Sequence, residues 1–173
     1  MKLPQTALRQ SGFPPLVHPG SRLLILGSMP GEKSLEQQEY YAHPRNFFWP
    51  FMAALAQETV PETYARKKAL LERMNIALWD VCATCIRQGS LDTAILKEIP
   101  NELDRFLQEH PAVRAIAFNG QKAASLYRKY FALRDDITYR ILPSTSPANA
   151  GISLENKKAA WMSLRDDLKP RGL

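Results

Sequence analysis

The stretch Leu23–Trp49, LLILGSMPGEKSLEQQEYYAHPRNFFW, decides how the rest of the chain is read. It opens with an unbroken apolar run, Leu23 to Leu26, the pattern of a parallel strand buried on both faces. Gly27, Pro30 and Gly31 end that run in a turn, and a polar segment follows. Tyr40, Tyr41, His43, Pro44, Arg45 and Asn46 then crowd together ahead of Phe47. Proline is tolerated in a helix only in its first turn, so Pro50 puts a helix start close to Asn46 and predicts a helix over 47–57. Ligands of open α/β sheets bind beyond the carboxyl ends of the strands. A knot of aromatic and polar side chains at that position reads as the wall of a pocket, not as a solvated connection.

Working outward, the first strand is predicted at Arg22–Leu26 and others at Ile76–Val81, Val113–Phe118 and Ile137–Leu142. Helices are predicted over 61–74, 101–109, 121–130 and 154–168, the last with Leu154, Ala160, Trp161, Leu164 and Leu168 facing inward. The segment CATCIRQGSLDTAI, 82–95, reads as a loop. Residues 1–20 are rich in proline and are expected to wrap the surface, with Phe13–Leu16 tucked in. Strands that alternate with helices imply right-handed crossovers and helices on both faces of a parallel sheet. The expected class is α/β, a three-layer α/β/α sandwich around a central four-stranded parallel sheet, as one domain over 1–173.

A chain of 173 residues with 45% apolar and 23% charged residues can bury a full core. No apolar run approaches the ~20 residues of a membrane span. The first residues lack the apolar middle of a secretory signal, so the expected location is the cytoplasm, and the expected state is a monomer. The net charge of +6, from 23 basic and 17 acidic residues, suits a nucleic-acid partner without requiring one. Cys82 and Cys85 are the two cysteines, and the three histidines at 18, 43 and 110 are too scattered to complete a zinc site with them. They read as reduced thiols in or beside the core, and their number excludes a four-cysteine iron–sulfur cluster.

Common α/β chemistries are missing. GSMPGEKS (27–34) has no Walker ending, its glycines are not spaced as in a dinucleotide fingerprint, and no G-x-S-x-G elbow occurs. Ser144 and Ser146 have no histidine near them in sequence, which argues against a serine hydrolase. The strand-end loops that remain are rich in aromatic, amide and hydroxyl groups, a set that suits a flat, neutral, hydrogen-bonding ligand such as a nucleobase. The small polar turn STSPANAG (144–151), just ahead of a helix, has backbone N–H groups suited to a phosphate.

Four blocks in order, GSMPG (27–31), YAHPRNFFW (41–49), LPSTSPAN (142–149) and SLENKKAAW (153–161), resemble the uracil-DNA glycosylase superfamily, and above all its deoxyinosine (hypoxanthine) branch. The likeness spans about Leu23 to Leu168; the AHPRNFFW block is specific, whereas GSMPG alone would be weak. The resemblance implies a monofunctional DNA glycosylase. It would hydrolyse the N-glycosidic bond of a flipped, deaminated base in damaged DNA, hypoxanthine first, and leave an abasic site. Uracil as the main substrate and a catalytically silent DNA-binding domain are the alternatives. No metal or organic cofactor is implied, and no membrane partner.

The resemblance also distributes roles. Relatives hold the attacking water with Asp or Asn before the turn proline, where this chain has Met29, a weak acceptor that cannot donate. Asn46 is therefore the candidate to orient water, the alternative being that it starts the helix it precedes. Ser144 matches the position that steadies the departing base, or is a turn hydroxyl. Gly27, Ser28, Met29, Pro30, Tyr41 and Asp80 are the base-binding set. Tyr41 would stack on the base, with Tyr40 in its place if the register differs by one. Asp80 would accept the N1–H of hypoxanthine or, alternatively, cap a loop. His43, Arg45, Thr145, Ser146, Ala148 and Asn149 are the DNA-contact set.

Overall fold

In the computed structural model, residues 8–170 are described. The elements in chain order are β1 (Arg9–Ser11), β2 (Leu23–Gly27), α1 (Glu32–Gln37), α2 (Phe48–Ala56), α3 (Tyr64–Arg73), β3 (Ile76–Asp80), β4 (Cys82–Ile86), a 3-10 turn (Asp92–Ala94) and β5 (Leu96–Pro100). There follow α4 (Leu103–Glu109), β6 (Ala115–Asn119), α5 (Gln121–Tyr130), β7 (Thr138–Leu142), α6 (Leu154–Met162) and α7 (Arg165–Leu168).

The central sheet is four-stranded and parallel, in the order β3-β2-β6-β7. Alternate residues of its two middle strands separate the core into layers. Leu23, Ile25, Ala115 and Ala117 face α2, α3 and α6 through Phe48, Met52, Leu70, Leu71 and Trp161. Leu24, Leu26, Ile116 and Phe118 face α4 and α5 through Leu103, Phe106, Leu107, Ala123 and Tyr127. This is the expected three-layer α/β/α sandwich.

The connection from β2 runs to β3 at one edge and that from β6 to β7 at the other, so the chain reverses direction between β2 and β6. Doubly wound sheets open a ligand crevice at such a point. At that edge the last strand residues, Gly27, Asp80, Asn119 and Leu142, line up across the sheet.

Three local details differ from expectation. The segment 82–95 is not a simple loop: β4 pairs antiparallel with β1 and with β5 in a second, three-stranded sheet. Register shifts along β4 turn both Cys82 and Cys85 into the core, three residues apart, which breaks the alternation by which a strand is recognised. Both cysteines are buried and free, as expected. The last helix breaks at Ser163 into α6 and α7, and Leu154, expected inside, is exposed at the first position of α6. A short helix, α1, occupies part of the polar segment after the first turn.

Residues 8–20 contact the sheet at two points. Leu16 pairs with Leu78 along the outer edge of β3, and Trp79 donates its indole N–H to the Phe13 carbonyl. Residues 1–7 of the expected wrap lie outside the described part. No helix among the described residues is long and apolar enough to cross a membrane.

Candidate active site

Gly27 ends β2 at the point where the sheet reverses direction. A Cβ placed there would stand 2.4 Å from Asp80 Oδ1 and 2.9 Å from the Tyr41 hydroxyl, so only glycine leaves room for both groups over the strand end. Asp80 is 4% exposed, and its Oδ2 finds no protein hydrogen bond. It caps nothing with that oxygen. Burial, reinforced by the charge of Asp92 and opposed by Arg87, pushes the Asp80 carboxyl up to about 7.

That shift has a consequence for stability. A carboxyl whose folded pKa is raised stabilises the fold fully below its ordinary range, near pH 4, and this contribution is lost as pH rises through about 7. Asp80→Asn should therefore raise the melting temperature at pH 8, and the gain should shrink towards pH 5. Calorimetry at both pH values checks this; an equal change at both would show that the carboxylate is not destabilising.

Tyr40 and Tyr41 divide their work. Tyr40 is 2% exposed, edge-on to Phe13, and donates its hydroxyl to the Pro14 carbonyl, so it belongs to the core. Tyr41 reaches over Gly27 and stacks on Phe48 with ring centroids 4.1 Å apart. Its φ of 54° lies in the left-handed region, unfavourable for a bulky side chain and tolerated where the surroundings over-determine it. Its hydroxyl is sealed from solvent without a well-formed hydrogen bond, although the Asn119 side chain is close by. Burial and then the charge of Asp80 push this phenol far above its ordinary range.

The rest of the AHPRNFFW block is tied to the turn after β7. Phe47 donates its backbone N–H to the Thr145 carbonyl at 3.1 Å. Asn46 Oδ1 accepts from the Phe48 N–H at 2.9 Å, so the helix-starting contact exists. The Asn46 amide nitrogen makes no hydrogen bond among the described residues, and the side chain is only half-buried. His43 Nδ1 accepts from the Arg45 N–H, which leaves the Arg45 side chain exposed.

Thr145 is 1% exposed and clamped by Asn119, whose amide donates to its hydroxyl while its carbonyl accepts the Thr145 N–H. Its side chain therefore faces the protein, whereas Ala148 is exposed and Ser146 and Asn149 are half-buried. Ser144 Oγ accepts from the Ser146 N–H and packs over Gly120. Gly120 has φ of 97° and leaves only 3.1 Å between a Cβ and Ser144, so no other residue fits there without strain. Trp161 fastens the turn from below through its bond to the Pro143 carbonyl.

In the GSMPG turn, Met29 is buried in the apolar cluster that also holds Leu26 and Val81. The turn is held from the segment read as a loop. Ser28 donates to Asp92, the Glu32 N–H donates to Ser90, and Arg87 donates to the Pro30 carbonyl. Sequence reading passed over Arg87, Asp92, Asn119 and the buried Lys157. Lys157 donates to the Asn149 carbonyl and sits 5.9 Å above the Phe47 ring. Only Asn119 carried a signal, as the polar residue closing an apolar strand before a glycine. Among the described residues no cluster of His, Cys, Asp and Glu could hold a metal ion.

Comparison with known proteins gives this geometry a context. The family model described as "Uracil DNA glycosylase superfamily" matches residues 14–165. The chain is 33% identical over 157 residues to a protein of Methanosarcina barkeri named hypoxanthine DNA glycosylase, covering 89% of this chain and 96% of that one. It is 35% identical over 153 residues to a protein of the same name from Methanosarcina acetivorans, covering 87% and 94%. A solution NMR structure from M. acetivorans, described as a candidate uracil DNA glycosylase, superimposes with a TM-score of 0.78 at 32% identity, over 93% of this chain and 99% of that one.

Proposed function

The chain belongs to the uracil DNA glycosylase superfamily, and from that premise we propose that it releases hypoxanthine from deoxyinosine in DNA by hydrolysing the N-glycosidic bond. The reading is carried by one observation, the unpaired buried carboxylate oxygen of Asp80 beside Gly27 and Tyr41. An acceptor held in that position matches the N1–H of hypoxanthine and opposes the N1 lone pair of adenine. The names of the two Methanosarcina relatives support the same substrate.

The base leaves the duplex at a cost of roughly a few kcal/mol, less for a mispaired inosine, and stacks on the Tyr41 ring. Base entry uncovers the sealed polar atoms of Tyr41 and Asp80 and supplies them with partners. As the bond lengthens, the sugar becomes cation-like and the base anionic. Backbone N–H groups of the 27–31 turn and the Ser144 hydroxyl act as fixed dipoles on that anion. Asn46 directs water to C1′ through its amide group, since Met29 is committed to the core. Arg45, His43 and the turn 146–149 meet the backbone on either side of the lesion.

The test is a set of duplexes that carry deoxyinosine, deoxyuridine or deoxyxanthosine, treated with protein and then with alkali. Strand breaks should appear at inosine only after alkali, because the product of hydrolysis is an abasic site. Faster release of uracil than of hypoxanthine would favour uracil as the main substrate. Binding without release from any duplex would overturn the enzyme reading.

A further inference from the structure

Arg87 leaves β4 in the segment that sequence reading took for a loop, and nothing in the mechanism above uses it. It is 5% exposed, and one of its nitrogens donates to the Pro30 carbonyl in the turn next to Gly27. Its Nε and Nη1 are sealed from solvent and have no acceptor. Asp80 stands at the same strand end with the opposite deficit, a buried carboxylate oxygen without a donor. The two lie near enough for the Arg87 charge to favour the ionised carboxylate. Even so, among the described residues they do not close into an ion pair. A buried guanidinium and a buried carboxyl left with these deficits are disfavoured, and a ligand that supplies both missing partners relieves them together.

The ligand that does so carries an acceptor and a donor side by side. We propose that Arg87 and Asp80 together read the lactam edge of the extruded base, with Arg87 donating to the exocyclic oxygen and Asp80 accepting from the adjacent ring N–H. This rests on the glycosylase reading and extends it from one base to a chemical class. Deamination converts the amino-substituted edge of adenine or cytosine into H–N–C=O, so hypoxanthine and uracil present the same pattern on different rings. Adenine presents the reverse, an amino donor towards Arg87 and a ring lone pair towards Asp80. Guanine shares the lactam edge, and its rejection falls to the cost of breaking an intact base pair.

The test compares affinities for two duplexes that resist hydrolysis. One carries 2′-fluoro-2′-deoxyinosine opposite thymine. The other carries 2′-fluoro-2′-deoxynebularine, which lacks both the oxygen and the ring N–H. Wild-type protein should bind the inosine duplex about tenfold or more tightly than the other, as expected of charge-assisted hydrogen bonds. Arg87→Met should bring the two within about threefold, and Arg87→Lys should recover part of the difference. A purely structural Arg87 would weaken both duplexes in parallel and keep their ratio, which would overturn the proposal. If Arg87→Met does not fold, Arg87→Lys and the wild type decide: equal wild-type affinities, or an unchanged ratio in the lysine variant, overturn it. Failure of the wild type to release hypoxanthine would remove the glycosylase reading itself. Release with an unchanged ratio would remove only the edge reading.

Discussion

Asn46→Ala is expected to slow hypoxanthine release by about 10²–10⁴-fold, the range that a positioned proton-transfer or water-orienting group contributes. The same substitution removes the acceptor for the Phe48 N–H, so a loss of about 1 kcal/mol of helix-start stability should accompany it. In a chain of this length that lowers the melting temperature by roughly 2–4 °C. The two effects separate in Asn46→Asp. A carboxylate keeps the bond to Phe48 and keeps an acceptor for water, so that variant should regain the melting temperature and part of the rate. Single-turnover release under excess enzyme measures the chemical step without interference from slow product release. A normal rate in Asn46→Ala would refute the assignment, whatever its effect on stability.

Gly27→Ala should be nearly as damaging, for a different reason. The glycine needs no unusual backbone angle; it needs the absence of a side chain, because a Cβ would stand 2.4 Å from Asp80 Oδ1 and 2.9 Å from the Tyr41 hydroxyl. Both neighbours are held in place, Tyr41 by its stack on Phe48 and Asp80 by burial under the turn. The added methyl must displace the acceptor and the stacking ring at once. Release of hypoxanthine should fall by about 100-fold or more, since small misplacements at a reacting centre already have effects of that size. The fold should persist, with the parallel sheet intact by circular dichroism. Gly27→Val, which is larger and branched, should lose more activity and also stability. Unchanged release by Gly27→Ala would mean that the space over Gly27, between Asp80 and Tyr41, is not part of the base site.

The sequence by itself determined the layers and the edge at which the site lies. Runs such as Leu23–Leu26 and Ala115–Phe118 are apolar without alternation, and only a sheet covered on both faces uses them. Pro50 and the turn glycines then placed the helix starts and the strand ends. Gly27 and Asp80 could be singled out because each follows or ends such a run, and the resemblance of the YAHPRNFFW block added Tyr41 and Asn46. The tertiary structure alone decided which tyrosine enters the core and which covers Gly27, because adjacent residues differ only in the backbone angle that the fold imposes on Tyr41. It also decided that Thr145 turns inward to Asn119, a partner 26 residues away. The second sheet and Arg87 stayed hidden for a related reason. Pairing of β4 with Arg9–Ser11 joins segments 75 residues apart, and the register shifts along it erase the period of two. Local patterns record what a residue's neighbours in the chain require. Which distant side chain supplies a hydrogen bond or a buried charge is settled only when the chain closes on itself.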